Sequence, residues 1–260
     1  MTRSTHQQNM VAMYTLFRKE VVRFLRIWPQ TLFPPIITQS LYFLIFGKFI
    51  GSQISDINGV SYMAVIVPGL VMMSVINNSY VNVAGSFFSS KFQRSVEELL
   101  VSPAPNWVIV GGYAFSGALR GILCGLLVFA VSVFFTRPVI HHFGYIMVFI
   151  VLTAVVFALG GLINGILAKK FDDISIVPTF ILTPLTYLGG VFYSISLLPG
   201  VWRTISRVNP ILYMINGFRY GFYGFSDVNI LLSFLILILF AAIFTAVIFY
   251  FLGKGTGLRS

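Results

Sequence analysis

The sequence predicts an all-α polytopic membrane protein with six transmembrane helices. Hydrophobic residues make up 57% of the 260-residue chain and charged residues only 9%, which is more apolar surface than a soluble domain of this size can bury. The apolar residues also fall into six segments, each close to the ~20 residues that a helix needs to cross a hydrocarbon core of ~30 Å. The net charge of +10 comes from basic residues that flank these segments, as topology signals do, so we expect no nucleic-acid partner.

The predicted spans lie at about 31–50, 61–83, 107–135, 145–168, 176–195 and 229–252. The third exceeds a simple span, so we expect it to tilt or to extend into the interface. The connection over 196–228 is too apolar for an ordinary loop and is broken by prolines, which predicts re-entrant or interfacial helices between spans five and six. The expected division of the chain is a cytoplasmic N-terminus over 1–30, one membrane domain over 31–252 and a cytoplasmic tail over 253–260.

The N-terminal segment from Met10 to Trp28 has the pattern of a basic amphipathic helix. Apolar residues recur there at helical spacing. A helix of this kind lies in the headgroup region of a membrane and does not span it. The basic residues fall on the opposite side of the predicted helix: Arg18, Lys19, Arg23 and Arg26.

The distribution of lysine and arginine predicts that both termini are cytoplasmic. With this orientation Arg120 lies within the third span. The inner segments then carry eleven basic residues: Arg3, Arg18, Lys19, Arg23, Arg26, Lys91, Arg94, Lys169, Lys170, Lys254 and Arg259. The outer segments carry five: Lys48, Arg137, Arg203, Arg207 and Arg219. Because three of these five fall in 196–228, we expect charge in that region to do something other than set topology.

Several kinds of activity lack their residues in this sequence. All seven acidic residues fall outside the six spans or at their edges, so no intramembrane carboxylate is expected to carry a coupling proton or sodium ion. The sequence has no phosphate-binding loop, and its three histidines form no metal-ligand pattern. We therefore expect no catalytic site and no metal site in this chain. A transporter without its own energy source needs an external one, which favours a separate ATPase subunit.

The inner loop over 86–106 is the first candidate for contact with such a partner. Its apolar face and charged rim predict a short helix that docks into a groove on another protein. Ser95 and Glu98 have the spacing of a capping box, and Pro103 and Pro105 end the helix. The alternative is an interfacial loop that packs on the bilayer. The candidate coupling residues in this loop are Lys91, Phe92, Arg94, Glu97, Glu98 and Leu99.

A second inner loop, over 168–175, is short and charged. Lys169 and Lys170 need no role beyond anchoring the topology of the chain. Asp172 and Asp173 are not explained in that way, so they form a second candidate contact with the ATPase. Both interpretations stay open.

Polar and aromatic residues in and near the spans are candidates for a translocation path or an exit lid. The tyrosines of the fifth span and of 196–228 line such a path or form the ordinary interfacial belt. A charged Arg120 in mid-span costs free energy unless it faces protein or a water-filled cavity. Asn78 either lines that same cavity or bonds a neighbouring helix. Arg219 either meets an anionic cargo or bonds backbone carbonyls. The candidates are Arg120, Asn78, Tyr187, Tyr193, Tyr213, Arg219 and Tyr220.

The stretch over 182–219 carries a sequence signature. Its apolar segment reaches Gly189, breaks at Pro199 and resumes at Pro210. This pattern resembles the C-terminal signature of ABC-2 type transporter permeases, the membrane subunits of ATP-driven exporters. The matching positions are Leu182, Leu185, Leu188, Gly189, Val191, Leu198, Pro199, Pro210, Ile211, Tyr213 and Arg219. Four stretches are also similar to one group of enterobacterial inner-membrane permeases within that family: 26–38, 66–76, 91–105 and 171–194.

The resemblance implies a multi-pass permease of the bacterial inner membrane that forms the translocation path of an exporter. It also implies a second copy of the chain and two copies of an ATP-binding subunit, which would hold the ATP and magnesium, with no cofactor in this chain. In that family the first inner loop carries the coupling helix that transmits ATPase movement to the membrane domain. The alternatives are an energy-independent channel or scaffold subunit, and a membrane-bound lipid or prenyl transferase, which would need a clustered acidic site.

Overall fold

The computed structural model describes residues 5–54, 56–57, 59–255 and 257, and all of their side chains except those of Ser52 and Leu100. Within these residues the chain is helical, with no β-structure beyond one isolated bridge between Ile57 and Val60. The all-α polytopic fold class is therefore confirmed. Two of the basic residues counted on the inner side, Arg3 and Arg259, and part of the tail predicted over 253–260 lie outside the described residues.

Eleven α-helices follow one another along the described residues. Two π-helical turns extend or join them, one after α2 at Phe43–Ile50 and one between α7 and α8 at Pro178–Leu182. The α-helices are α1 (Thr5–Arg26), α2 (Trp28–Tyr42), α3 (Tyr62–Phe92), α4 (Ser95–Val101), α5 (Asn106–Ser132), α6 (Phe143–Leu167), α7 (Phe171–Val177), α8 (Thr183–Leu188), α9 (Gly200–Val208), α10 (Pro210–Tyr223) and α11 (Ile230–Lys254).

Five helical segments in the described part of the chain are long and apolar enough to cross a membrane. The predicted fifth span, 176–195, is not a single α-helix, because α7, the π-helical turn and α8 follow one another and end at Leu188. The count of six spans therefore remains a prediction. The five segments correspond to the other predicted spans: Trp28–Ile50, Tyr62–Phe92, Asn106–Ser132, Phe143–Leu167 and Ile230–Lys254.

Helix α3 is the centre of the bundle and lies mostly buried between α5 and α6. Glycines allow this close packing, because a Cβ added at Gly117, Gly121 or Gly125 of α5 would clash with α3. On the other side, a Cβ added at Gly161 of α6 would clash with the carbonyl of Tyr80. Small residues of this kind let membrane helices approach backbone to backbone.

The peripheral elements expose apolar surface. The Trp28–Ile50 segment and α11 are largely exposed along their lengths, as expected for helices that face lipid or another membrane chain. Helix α1 packs on α5 through Leu16 and Phe24, which are buried. Met10 and Tyr14 on the same helix remain exposed, in agreement with an amphipathic element at the edge of the bundle.

Two prolines inside helical segments release carbonyl groups that distant side chains then satisfy. A proline has no N–H to bond the carbonyl four residues earlier. Pro68 thereby frees the Ala64 carbonyl, which accepts a hydrogen bond from the Tyr223 hydroxyl at 2.8 Å. Pro178 frees the Ile174 carbonyl, which accepts from the side-chain amide of Asn164 at 3.1 Å. These bonds tie α10 to α3 and α6 to α7, as the lack of water in a bilayer requires.

Candidate functional site

We name the candidate regions inner and outer from the predicted orientation of the chain. The first, the inner docking surface, is formed by the end of α3, by α4 and by α7. Three phenylalanines join α3 and α7. The ring of Phe171 lies 4.9 Å from that of Phe88 and 5.2 Å from that of Phe92, both edge to face. Phe92 is 69% exposed and Phe171 is 54% exposed. The two inner loops, predicted as separate contacts, therefore form one continuous surface with an apolar centre.

Charged residues follow Phe92 at the turn into α4 and along that helix. Arg94, Glu97 and Glu98 are exposed, whereas Leu99 is partly buried. A groove of about 450 Å³ runs between α1, α4 and the start of α5, and its walls include Lys19, Glu98 and Leu99. Exposed aromatic rings with a charged rim suit a protein partner.

Two of the predicted coupling residues are used inside the chain. The Lys91 ammonium donates to the carbonyls of Ile166 at 2.9 Å and Ala168 at 2.8 Å, so it holds the end of α6 against α3. The Asp173 carboxylate accepts the backbone N–H groups of Lys169 at 2.8 Å and Lys170 at 3.0 Å. These two bonds cap α7 and hold the pKa of Asp173 below its usual range.

The start of α4 differs from the prediction. Ser95 does not cap the helix, because the N-cap position is held by Arg94 in the left-handed region at φ 59°. The Ser95 hydroxyl instead donates to the Ser90 carbonyl at 3.1 Å. The chain therefore turns sharply between α3 and α4 and remains tied to the end of α3. Asp172, by contrast with Asp173, stays exposed.

The second candidate region is a polar seam along the face of α3 that meets α1 and α5. Side chains of α1 and α5 form hydrogen bonds with the seam at successive turns of α3. Tyr113 donates to the Ser90 hydroxyl at 3.2 Å, and the Ser86 hydroxyl donates to the Glu20 carboxylate. The seam consists of a serine or asparagine at every fourth position: Ser74, Asn78, Asn82, Ser86 and Ser90.

Asn82 is the meeting point of the seam. Its amide oxygen accepts from Arg23 of α1 at 2.8 Å and from Arg120 of α5 at 3.0 Å. Arg23 also pairs with Glu20 at 3.0 Å, and Arg120 has Cys124 as a second side-chain partner. The mid-span arginine is thus held by a neutral amide of the protein. The local balance of two arginines and one carboxylate leaves a net positive charge.

Glu20 is a buried carboxylate on α1. The sequence places it outside all six predicted spans, yet it is 1% exposed and bonds a residue of α3. The sequence did not reveal this burial because amphipathicity describes one helix at a time and does not say which face α5 and α3 will cover.

The third candidate region is the outer hairpin, formed by residues 189–197, α9 and α10. Arg219 of α10 is fully buried. It donates to the Gly190 carbonyl at 2.6 Å and lies 3.7 Å from the Asp227 carboxylate. Asp227 in turn accepts from the Ser194 hydroxyl and from the N–H of Ile195 at 3.2 Å. This arginine therefore fastens the loop to α10.

The outer hairpin is also attached to α3. Val191 packs so closely on α3 that a Cβ added at Gly69 would clash with it. The Tyr62 hydroxyl donates to the Phe192 carbonyl at 2.8 Å, and Tyr223 bonds α3 as described above. Helix α9, which precedes α10, exposes an apolar face that includes Val201 and Trp202.

The predicted path tyrosines do not form one cluster. Tyr187 bonds the Tyr42 hydroxyl at 3.0 Å, and Tyr213 donates to the Arg207 carbonyl at 2.8 Å. Tyr220 stacks on His142 with ring centroids 5.2 Å apart. Asn78 donates within its own helix to the Ser74 carbonyl at 2.9 Å. Tyr193 is half-buried.

Sequence reasoning missed four functional candidates: Glu20, Arg23, Ser86 and Asp227. Two signals for them are present in the sequence. The four-residue repeat of serine and asparagine on α3 marks one polar face, and Glu20 and Arg23 have the three-residue spacing of a helical ion pair. Nothing comparable marks Asp227, which meets Arg219 only when the hairpin folds.

Comparison with known proteins identifies the family. The sequence profile of the ABC-2 type transporter family matches residues 11–223. The chain belongs to this family. The matched range includes the inner docking surface, the polar seam and α9 and α10 of the outer hairpin. Family membership makes the chain a membrane transport permease, and the five described span helices agree with that assignment.

Individual relatives confirm the narrower resemblance as well. The inner membrane transport permease YadH of Escherichia coli K12 is 56% identical over 250 residues, which are 96% of this chain and 98% of that protein. Nodulation protein J of Rhizobium meliloti is 26% identical over 69% of each chain. Nodulation protein J of Neorhizobium galegae is 22% identical over 80% of each chain.

Proposed function

We propose that this permease forms the translocation path of an ATP-driven exporter in the bacterial inner membrane and is coupled to a separate ATP-binding subunit. The observation that carries the proposal is the inner docking surface. Phe92 and Phe171 expose their rings side by side, and Arg94, Glu97 and Glu98 are exposed on the segment that follows Phe92. A surface of this kind at the end of the central helix is suited to receive force from a partner.

The partner would supply the chemistry that this chain lacks. ATP and magnesium would bind in the ATP-binding subunit, and this chain would hold no catalytic site and no cofactor. Family membership supports that division of labour. We propose that the transporter contains two copies of each subunit, so that the docking surface of each permease chain receives one ATP-binding subunit. Both termini of the permease would be cytoplasmic, as the charge bias of the sequence predicts.

The path would lie between two copies of the permease. The described bundle is tightly packed around α3, and two apolar cavities in it have volumes of only about 380 and 490 Å³. None of the predicted path residues lines the 380 Å³ cavity. An interface between chains leaves more room for a cargo. The exposed apolar faces of Trp28–Ile50 and α11 would meet the second copy or membrane lipids.

The alternative of an energy-independent channel or scaffold subunit leaves the exposed inner phenylalanines without a role. A membrane-bound transferase would need a cluster of acidic residues, and Asp173 is already used to cap α7. The exporter subunit is therefore the function that the geometry supports best.

The test is to co-purify the chain with its candidate ATP-binding subunits in lipid nanodiscs and to measure ATP hydrolysis and binding affinity. Reversal of both charges in Glu97→Lys/Glu98→Lys should weaken assembly by at least about tenfold, because the rim charges would then repel complementary groups on the partner. The matched control is Asp56→Lys, which reverses an exposed acid in the loop between the first two spans and should leave assembly unchanged.

Two results would count against the proposal. The double charge reversal could assemble and stimulate ATP hydrolysis as well as the wild type does, which would remove the docking role of α4. Transport that continues without any ATP-binding subunit would favour the channel.

A further inference from the structure

The polar seam is an incompletely satisfied network. Among the described residues, one carboxylate oxygen of Glu20, the amide nitrogen of Asn82 and the Nε of Arg120 are buried without a hydrogen-bond partner. A buried network with unused donors and acceptors is less stable than well-packed apolar side chains of the same volume. The arrangement is therefore poorly explained by stability alone.

The spacing of the seam offers a second set of partners. Its polar residues repeat every four positions, which on a helix is a rise of about 6 Å with a rotation of about 40°. If α3 moved by this step toward its α4 end, Asn78 would replace Asn82 opposite the arginines, and Asn82 would replace Ser86 opposite Glu20. Tyr113 would meet Ser86.

The new partners have the right chemistry. The unused amide nitrogen of Asn82 is a donor that would face the carboxylate of Glu20, which has an unused oxygen. Asn78 at present uses its amide nitrogen within its own helix, and its amide oxygen accepts no hydrogen bond from the described residues. That oxygen would receive Arg23 and Arg120.

The surroundings of α3 permit such a movement. On α5 the facing residues are Gly117, Gly121 and Gly125, and on α6 they include Gly161 and Gly165. Helices slide past each other most easily where no side-chain ridges interlock. The glycine faces do not themselves indicate movement, but the four-residue spacing of those on α5 matches the spacing of the polar positions on α3. The bonds from Lys91 to the Ile166 and Ala168 carbonyls would have to break or carry the end of α6 along.

We propose that α3 adopts two registers, one helical turn apart, against α1 and α5, and that Asn78 and Asn82 are the positioning residues of the two states. One-turn displacements of this kind are a known form of switching between packed helices. The proposal rests on the proposed function, since the ATP-binding subunit would drive the step by pulling on α4.

The attachments at both ends of α3 would turn the step into a transport movement. At the inner end the bond from Ser95 to the Ser90 carbonyl links α4 to α3. At the outer end Tyr62 and Tyr223 link α3 to the outer hairpin. A step of α3 would therefore move the hairpin together with the docking surface.

The first experiment compares Asn78→Leu with Asn77→Leu in the complex with its ATP-binding subunit. The two asparagines are adjacent and both partly buried, and each donates to the carbonyl four residues earlier. Only Asn78 lies on the seam. We expect Asn78→Leu to lower transport per ATP hydrolysed by at least about fivefold, Asn78→Gln to restore most of it, and Asn77→Leu to have no effect. Equal behaviour of the two leucine variants would overturn the proposal.

The second experiment measures the step directly. Spin labels are placed at Val81 of α3 and Phe115 of α5, both exposed. The labelled chain carries Cys124→Ser so that only the introduced cysteines react, and it is co-expressed with excess unlabelled chain so that distances within one chain are measured. Vanadate trapping with ATP should change the label distance by several ångströms, up to the ~6 Å rise of one turn. A control pair at Phe115 and Val151 of α6 should not change.

The outcomes separate the two proposals. A wild-type complex that hydrolyses ATP but shows no change at the α3–α5 pair would overturn the two-register proposal and leave the exporter function standing. A permease that neither binds nor stimulates any ATP-binding subunit would overturn the exporter function itself.

Discussion

The inner docking surface and the outer hairpin use charge in opposite ways. At the outer hairpin Arg219 is buried and bonded to a carbonyl and a carboxylate of the same chain. At the inner docking surface Glu97, Glu98 and Asp172 are exposed, with no ion pair to the described residues. Arg219 therefore holds the protein's own backbone in place, whereas the carboxylates of Glu97, Glu98 and Asp172 are available to another molecule.

The polar seam lies between these extremes. Its carboxylate, Glu20, is buried as Arg219 is, but its two arginines are only partly buried, and they outnumber the carboxylate. This difference teaches that burial alone does not identify a structural charge. A buried arginine that is paired with a carboxylate and a carbonyl of its own hairpin fixes one arrangement, whereas a seam with further polar residues at the same spacing allows a second.

The largest expected effect in the outer hairpin comes from Arg219→Met. The substitution leaves Asp227, whose side chain is only 10% exposed, without its ion partner, and removes the donor to Gly190. Breaking a buried pair in this way costs about 3–5 kcal/mol, measured as the free energy of unfolding in mixed detergent micelles. Arg203→Met, which loses bonds from a partly buried arginine to the Ser196 and Leu198 carbonyls, should cost less, at most about 1.5 kcal/mol. Similar losses for the two variants would show that Arg219 is not a structural charge.

A smaller effect is expected for Tyr223→Phe. This variant keeps the aromatic ring but removes the hydroxyl that donates to the Ala64 carbonyl. Because of Pro68, that carbonyl has no backbone donor within its helix. Interhelical hydrogen bonds in membrane proteins contribute about 1 kcal/mol, so the free energy of unfolding should fall by about that amount. Tyr220→Phe is the matched control, since the Tyr220 hydroxyl bonds none of the described residues and its ring stacking on His142 is kept. A larger loss for the control would contradict the role given to Tyr223.

The smallest effect concerns the inner loop and depends on pH. The N–H groups of Lys169 and Lys170 lower the pKa of Asp173, so the folded state binds the proton more weakly than the unfolded chain does. The resulting stabilisation is fully present above the unfolded value of about 3.9 and is lost as the pH falls through the folded-state pKa. Asp173→Asn should therefore lower Tm slightly at neutral pH and leave it unchanged in strong acid. The exposed neighbour in Asp172→Asn should show neither effect.

The family and most of the helices were predictable from the sequence because their signals are local. An apolar run of sufficient length must form a helix in a bilayer, so five predicted spans appear close to their expected positions. The break after Gly189 and the return at Pro210 were also visible in the signature. The fifth span was described less well, because Pro178 and Pro184 interrupt its hydrogen bonding and produce π-helical turns.

Tertiary structure decided which polar residues act together. The sequence by itself determined a helical membrane permease with an exposed inner loop, since composition, segment length and charge bias act within short stretches. It did not determine that Glu20 would enter the bundle, that Arg23 and Arg120 would share Asn82, or that Asp227 would meet Arg219. These pairings join residues far apart in the chain, and they exist only because particular helix faces pack together.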